Sequence, residues 1–85
     1  MDKLTDLPNI GSELSRMLIE VGITTPDELK AAGTEHTFLR LKALDSGACL
    51  CKLCALEGAV QGIRWHHLSD SRKADLKHFF QMTRR

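Results

Sequence analysis

Tyrosine is absent, and one tryptophan and three phenylalanines are the only aromatic residues, 5% of the 85-residue chain. Proteins that hold single strands by stacking bases need several aromatic platforms, and this composition offers few. No apolar run approaches the roughly 20 residues of a membrane span. The first ten residues, MDKLTDLPNI, lack the apolar stretch of a secretory signal. The expectation is a cytoplasmic protein with no membrane contact. Only two prolines interrupt the chain. No segment alternates apolar and polar residues with β-branched enrichment, which argues against a sheet. A large excess of charge is missing too: the net charge is +1, which by itself indicates no polyanionic partner.

What is present is the composition of a globular protein, 42% hydrophobic and 27% charged. The length fits one small domain, residues 1–85, with a core near the lower size limit for folding unaided. Charge is mildly polarised. Residues 1–35 carry net −4 and residues 36–85 net +5.

Apolar spacing predicts an all-α fold, a compact bundle of about five helices. The first covers Ser12 to Val21, with Leu14, Met17, Leu18 and Val21 on one stripe, Leu7 and Ile10 packing back onto it, and Gly22 as its C′ residue. In TPDE, Thr25 is the N-cap and Pro26 the first helical residue, with Thr25 and Glu28 capping each other's amides; this helix ends at Gly33. The third starts at Thr34, turns Phe38, Leu39, Leu41 and Leu44 inward, and breaks at DSG, 45–47. The fourth, Ala48 to Gln61, is the most apolar. Its stripe is Leu53, Leu56, Val60 and Ile63, and its small side is Ala55, Gly58, Ala59 and Gly62, along which a neighbouring helix can approach. The fifth is capped by Ser69 or Asp70 and packs Leu76, Phe79 and Phe80. Leu14, Leu18, Phe38, Leu53, Leu56, Gly58, Leu76 and Phe79 are the core candidates, with Trp65 closing the core between the last two helices.

Four groups of residues are candidates for function. The turn Asn9-Ile10-Gly11 leads into a helix, as in hairpins that hold a DNA phosphate on bare backbone amides. Such hairpins read Gly-hydrophobic-Gly. Here asparagine replaces the first glycine, and its side chain can occupy those amides; Arg16 is the one base within a turn. A structural turn is the competing reading. On that reading Asn9→Gly leaves any residual DNA binding nearly unchanged and costs at most a little stability, by freeing the unfolded chain. The second group is basic: Arg72, Lys73 and Lys77 on one side of the fifth helix, with Arg84 and Arg85 following, either a solvated face or a surface for phosphates or acidic protein. The third is Cys49, Cys51 and Cys54. At about 100° per residue, Cys49 and Cys51 stand roughly 200° apart on a helix, so the three thiols cannot converge on one metal. An odd number in a cytoplasmic setting also disfavours a disulfide. The fourth is Trp65-His66-His67, with no nucleophile or carboxylate in a triad-like arrangement beside it. No catalytic residue, metal, cofactor or small-molecule substrate is indicated.

The segments DLPNIG (6–11), GITTPDEL (22–29), AAGTEHTFLRLKA (31–43), ALEGAVQGIRWHHL (55–68) and RKADLKHFF (72–80) resemble, in this order, the C-terminal domain of the TfoX (Sxy) family of competence regulators. The resemblance implies a compact helical domain with a helix-hairpin-helix-like N-terminal part. It also implies a role in regulating DNA-uptake genes alongside other transcription factors, and it brings no catalytic residues. Longer family members carry an α/β domain before this one, so the chain is either a stand-alone member or an excised domain. The expected function is a non-enzymatic regulatory module that contacts another protein, a transcription factor or regulator. The alternative is weak, sequence-nonspecific DNA binding through the hairpin-like turn or the basic last helix.

Overall fold

Glycine, proline and threonine punctuate this chain into helices. The computed structural model describes residues 3–45 and 47–83. Five helices form: α1 (Ser12–Glu20), α2 (Pro26–Ala32), α3 (Thr34–Leu44), α4 (Leu50–Gln61) and α5 (Asp70–Thr83). Single 3-10 turns at Leu4–Asp6 and Trp65–His67 precede α1 and α5, and no strand occurs among the described residues. Ser46 of the predicted DSG break lies outside the described residues, as do Arg84 and Arg85 of the basic group. Asp45 helps turn the chain there, its Oδ1 accepting the Gly47 N–H at 2.9 Å.

Gly22 ends α1 as predicted. At φ +92° it lets its own amide reach the Ile19 carbonyl and the Ile23 amide reach Leu18, the paired bonds of a Schellman cap. Gly62, at φ +78°, does the same for α4: its amide bonds Ala59, and that of Ile63 bonds Gly58. Gly62 is therefore a helix stop rather than part of a packing side. At α2, Thr25 Oγ1 accepts the Glu28 amide as predicted, but Glu28 returns its carboxylate to the Thr24 amide and hydroxyl, not to Thr25. The Thr24 hydroxyl bond, with its amide, holds the Glu28 carboxyl below its ordinary value. α4 starts two residues later than expected, at Leu50, with Cys49 as its N-cap.

Leu18, Leu29, Phe38, Leu41, Leu53, Leu56 and Leu76 are fully buried. Phe38 sits among α5 aromatics, edge-on to Phe79 at 6.4 Å and Phe80 at 6.0 Å. α4 packs on α3, α5 and the Trp65–His67 turn. Three expected core residues are not in the core. Leu39 is 46% exposed, because α3 buries the stripe Thr34, Thr37, Phe38 and Leu41 and Leu39 lies off it. Leu44, on the last residue of α3, is 47% exposed. Trp65 is 47% exposed: its backbone is pinned to the fold and about half of the residue is open to solvent.

Candidate functional site

Asn9 has φ +71°, the one positive φ outside glycine among the described residues. Asparagine tolerates this conformation better than most residues, and the turn aims its amide group at the end of α4. Asn9 Nδ2 donates to the Ile63 carbonyl at 3.0 Å and the Ala55 carbonyl at 3.4 Å, and Oδ1 accepts the Trp65 amide at 3.2 Å. Gly58 lies beneath this clamp. A Cβ there would collide with Asn9 Nδ2 and come within 2.7 Å of the Ile63 carbonyl oxygen. The small residue on α4 thus makes room for a side chain and the returning backbone, not for a neighbouring helix.

The rest of the turn follows. Ile10 is buried. Gly11, the N-cap of α1, is extended at φ −90° and supplies no side-chain cap. The asparagine therefore does not cover the α1 amides, as the pattern had suggested it could; it faces the opposite way. Arg16 is held by Glu20 of the same helix at 2.6 Å, and both are solvent-exposed.

The basic group on α5 does not stand as one surface. Arg72 turns inward. Its Nη2 donates to Glu57 Oε1 at 2.8 Å and to Glu35 Oε2 at 2.9 Å. Glu57 also accepts from the Thr34 hydroxyl at 2.7 Å and from Gln61 Nε2, and its side chain is only 9% exposed. Burial pushes the Glu57 carboxyl up, but the hydrogen bonds from Arg72, Gln61 and Thr34 outweigh that and bring it to about 2. The bond to Glu57, against the opposing effect of burial, raises the Arg72 guanidinium above its ordinary value. This network joins α3, α4 and α5. Lys73 Nζ donates to the His66 carbonyl at 3.3 Å, leaving Lys77 as the exposed base of the three.

Glu57 was not singled out from the sequence, although a signal was there. It is the only charged residue between Leu53 and Ile63, in the most apolar helix. A lone acid in such a setting needs a buried partner.

The cysteines divide. Cys49 and Cys51 are exposed and Cys54 is buried, all three as free thiols. Burial, then Cys51, raises the Cys54 thiol above its ordinary value. Two of the shallow hollows on the surface lie among the described residues. One, of about 460 Å³, lies between α2 and α3 and includes Glu28, His36 and Arg40. The other, of about 310 Å³, lies between α1 and the end of α3 and includes Arg16, Met17, Glu20 and Leu44. No helix among the described residues is long and apolar enough to cross a membrane.

Comparison with known proteins agrees with this architecture. The chain is 37% identical over 76 residues to the DNA transformation protein TfoX of Haemophilus influenzae, and 36% identical over 75 residues to protein Sxy of Escherichia coli. These alignments cover 89% and 88% of this chain but 35% and 36% of the relatives, so the chain spans about a third of the length of the curated relatives it matches. Two crystal structures of uncharacterised proteins from Listeria monocytogenes, one triclinic and one tetragonal, share 52% identity with it. They superpose with TM-scores of 0.94 and 0.92, covering 95% and 94% of this chain and 92% and 98% of theirs. The profile of the TfoX C-terminal domain matches residues 1–80, and the chain belongs to that family.

Proposed function

We propose that the chain is a non-enzymatic regulatory module of DNA uptake that works by contacting another protein, a transcription factor or regulator. The observation that carries this reading is the inward aim of Asn9. The residue standing where a DNA hairpin has its first glycine is committed to α4. Arg72, the first base of the expected cationic surface, is likewise committed to Glu57 and Glu35. The similarity to a DNA transformation protein supports a place in the same process. Exposed Ile19, Leu39, Leu44 and Met82 supply apolar area for a protein contact. Affinity purification from the native host, with and without nuclease, tests the proposal. A regulator that is retained after nuclease treatment and at high salt supports it. Recovery of duplex DNA alone, lost steeply as salt rises, overturns it.

A further inference from the structure

Trp65 is the only tryptophan in the chain, and it is exposed. The His66 ring meets it edge-on at 5.7 Å, and the His67 ring meets that of His66 at 4.5 Å. All three residues face solvent. The backbone that carries them is fixed. Asn9 Oδ1 accepts the Trp65 amide, the His67 and Leu68 amides close the 3-10 turn on Arg64 and Trp65, and Lys73 holds the His66 carbonyl. A surface of π rings is thus set out in water on a rigid mount, which lowers the entropy lost when something binds it.

The segment that carries it is polar and lacks acids: residues 58–69 contain none, with Glu57 turned to Arg72 on one side and Asp70 beginning α5 on the other. Arg64, the preceding residue, is exposed, and Lys73 uses one of its three N–H donors on the turn. The aliphatic neighbours face away: Leu68 is buried and Ile63 half-buried. The core of a protein-docking patch is apolar around its aromatic anchor. Aromatic faces rimmed by cations instead match an unpaired base and its phosphate.

Aromatic residues are few in the chain, but the Trp65–His67 turn gathers the one tryptophan and two histidine rings at one place; we propose that it stacks unpaired nucleobases of a single-stranded nucleic acid, with Arg64 and Lys73 meeting the backbone phosphates. A duplex keeps its base faces inside the stack and cannot use this surface. The site is independent of the protein contact proposed above, and either can fail without the other.

The single tryptophan makes the test specific, because emission reports on this surface alone. The full chain is titrated at low ionic strength with oligothymidylate, oligouridylate and a DNA duplex. Saturable quenching by a single strand is expected, falling as salt rises, with little from the duplex. Tighter binding of the deoxy or the ribo strand identifies the source. By anisotropy of a labelled strand, Trp65→Ala should weaken binding roughly five- to hundredfold, with the helical circular dichroism checked in parallel. Trp65→Phe keeps a ring and should retain most of the affinity. Arg64→Ala should lower the salt slope by about 0.7. Absence of quenching by either single strand overturns the proposal, and so does a folded Trp65→Ala that binds like wild type. Equal quenching by polyglutamate also overturns it, because the surface would then suit an acidic protein.

Discussion

Thr37 is fully buried in α3, and its hydroxyl is the one buried side-chain polar atom among the described residues without a hydrogen-bond partner. Valine has nearly the same shape and a similar helix propensity. Thr37→Val removes an unpaired polar atom and leaves the packing in place, so it should stabilise the fold by about 1 kcal/mol, read as a higher urea midpoint. A lower midpoint would mean that the hydroxyl has a partner. Gly58 shows two effects in competition. Alanine gains about 1 kcal/mol of helix propensity. Its methyl, however, would collide with the Asn9 amide and crowd the Ile63 carbonyl and the Trp65 backbone. Backbone cannot swing away as a flexible side-chain end can, so the clash should win. Gly58→Ala is expected to destabilise by about 2 kcal/mol and Gly58→Leu by more. A melting temperature equal to wild type for either would show that the clamp is not seated there.

At the scale of elements, the ion-pair network fastens α5 to α3 and α4. Glu57 titrates at about 2 in the folded chain, below its ordinary 4.5. A lowered carboxyl stabilises the fold above the unfolded value, and the benefit disappears as pH falls through the folded one. The network should therefore contribute fully above pH 4.5 and lose on the order of 3 kcal/mol between there and pH 2. Glu57→Gln should be less stable than wild type near neutrality, and urea midpoints of the two should converge as the pH is lowered. A gap that stays constant with pH would assign the network no electrostatic role. Arg72→Ala should cost about 3 kcal/mol, at the low end for a broken buried pair because the Arg72 side chain remains 27% exposed, and Arg72→Glu should cost more because it sets a third carboxylate beside Glu57 and Glu35. A combined glutamate replacement of Arg72, Lys73 and Lys77 would thus report unfolding rather than lost DNA contacts. Lys77→Glu is the variant that tests the basic surface. Helix starts and stops were legible in the sequence because they depend on local chemistry, as at Thr25, Pro26, Gly22 and Gly33. The Arg72–Glu57 pairing was not, because fifteen residues separate partners on different helices and periodicity describes only the face of one helix at a time.

For the whole molecule, the fold closes by bringing its N-terminal turn onto the end of α4, 54 residues away in sequence. The all-α architecture and most of the core could be read from apolar spacing. The exposure of Trp65 could not, because its place depends on which backbone atoms Asn9 captures. The same contact argues for a larger cost than the little stability that a mere turn would lose on Asn9→Gly. Glycine would relieve the positive φ, but it would remove three hydrogen bonds, each worth about 1 kcal/mol net. The urea denaturation free energy of Asn9→Gly, compared with wild type, is the most direct test of the clamp. We expect a loss of about 2 kcal/mol. Unchanged or increased stability would show that Asn9 only shapes a turn, and would return the Asn9-Ile10-Gly11 segment to consideration as a phosphate site.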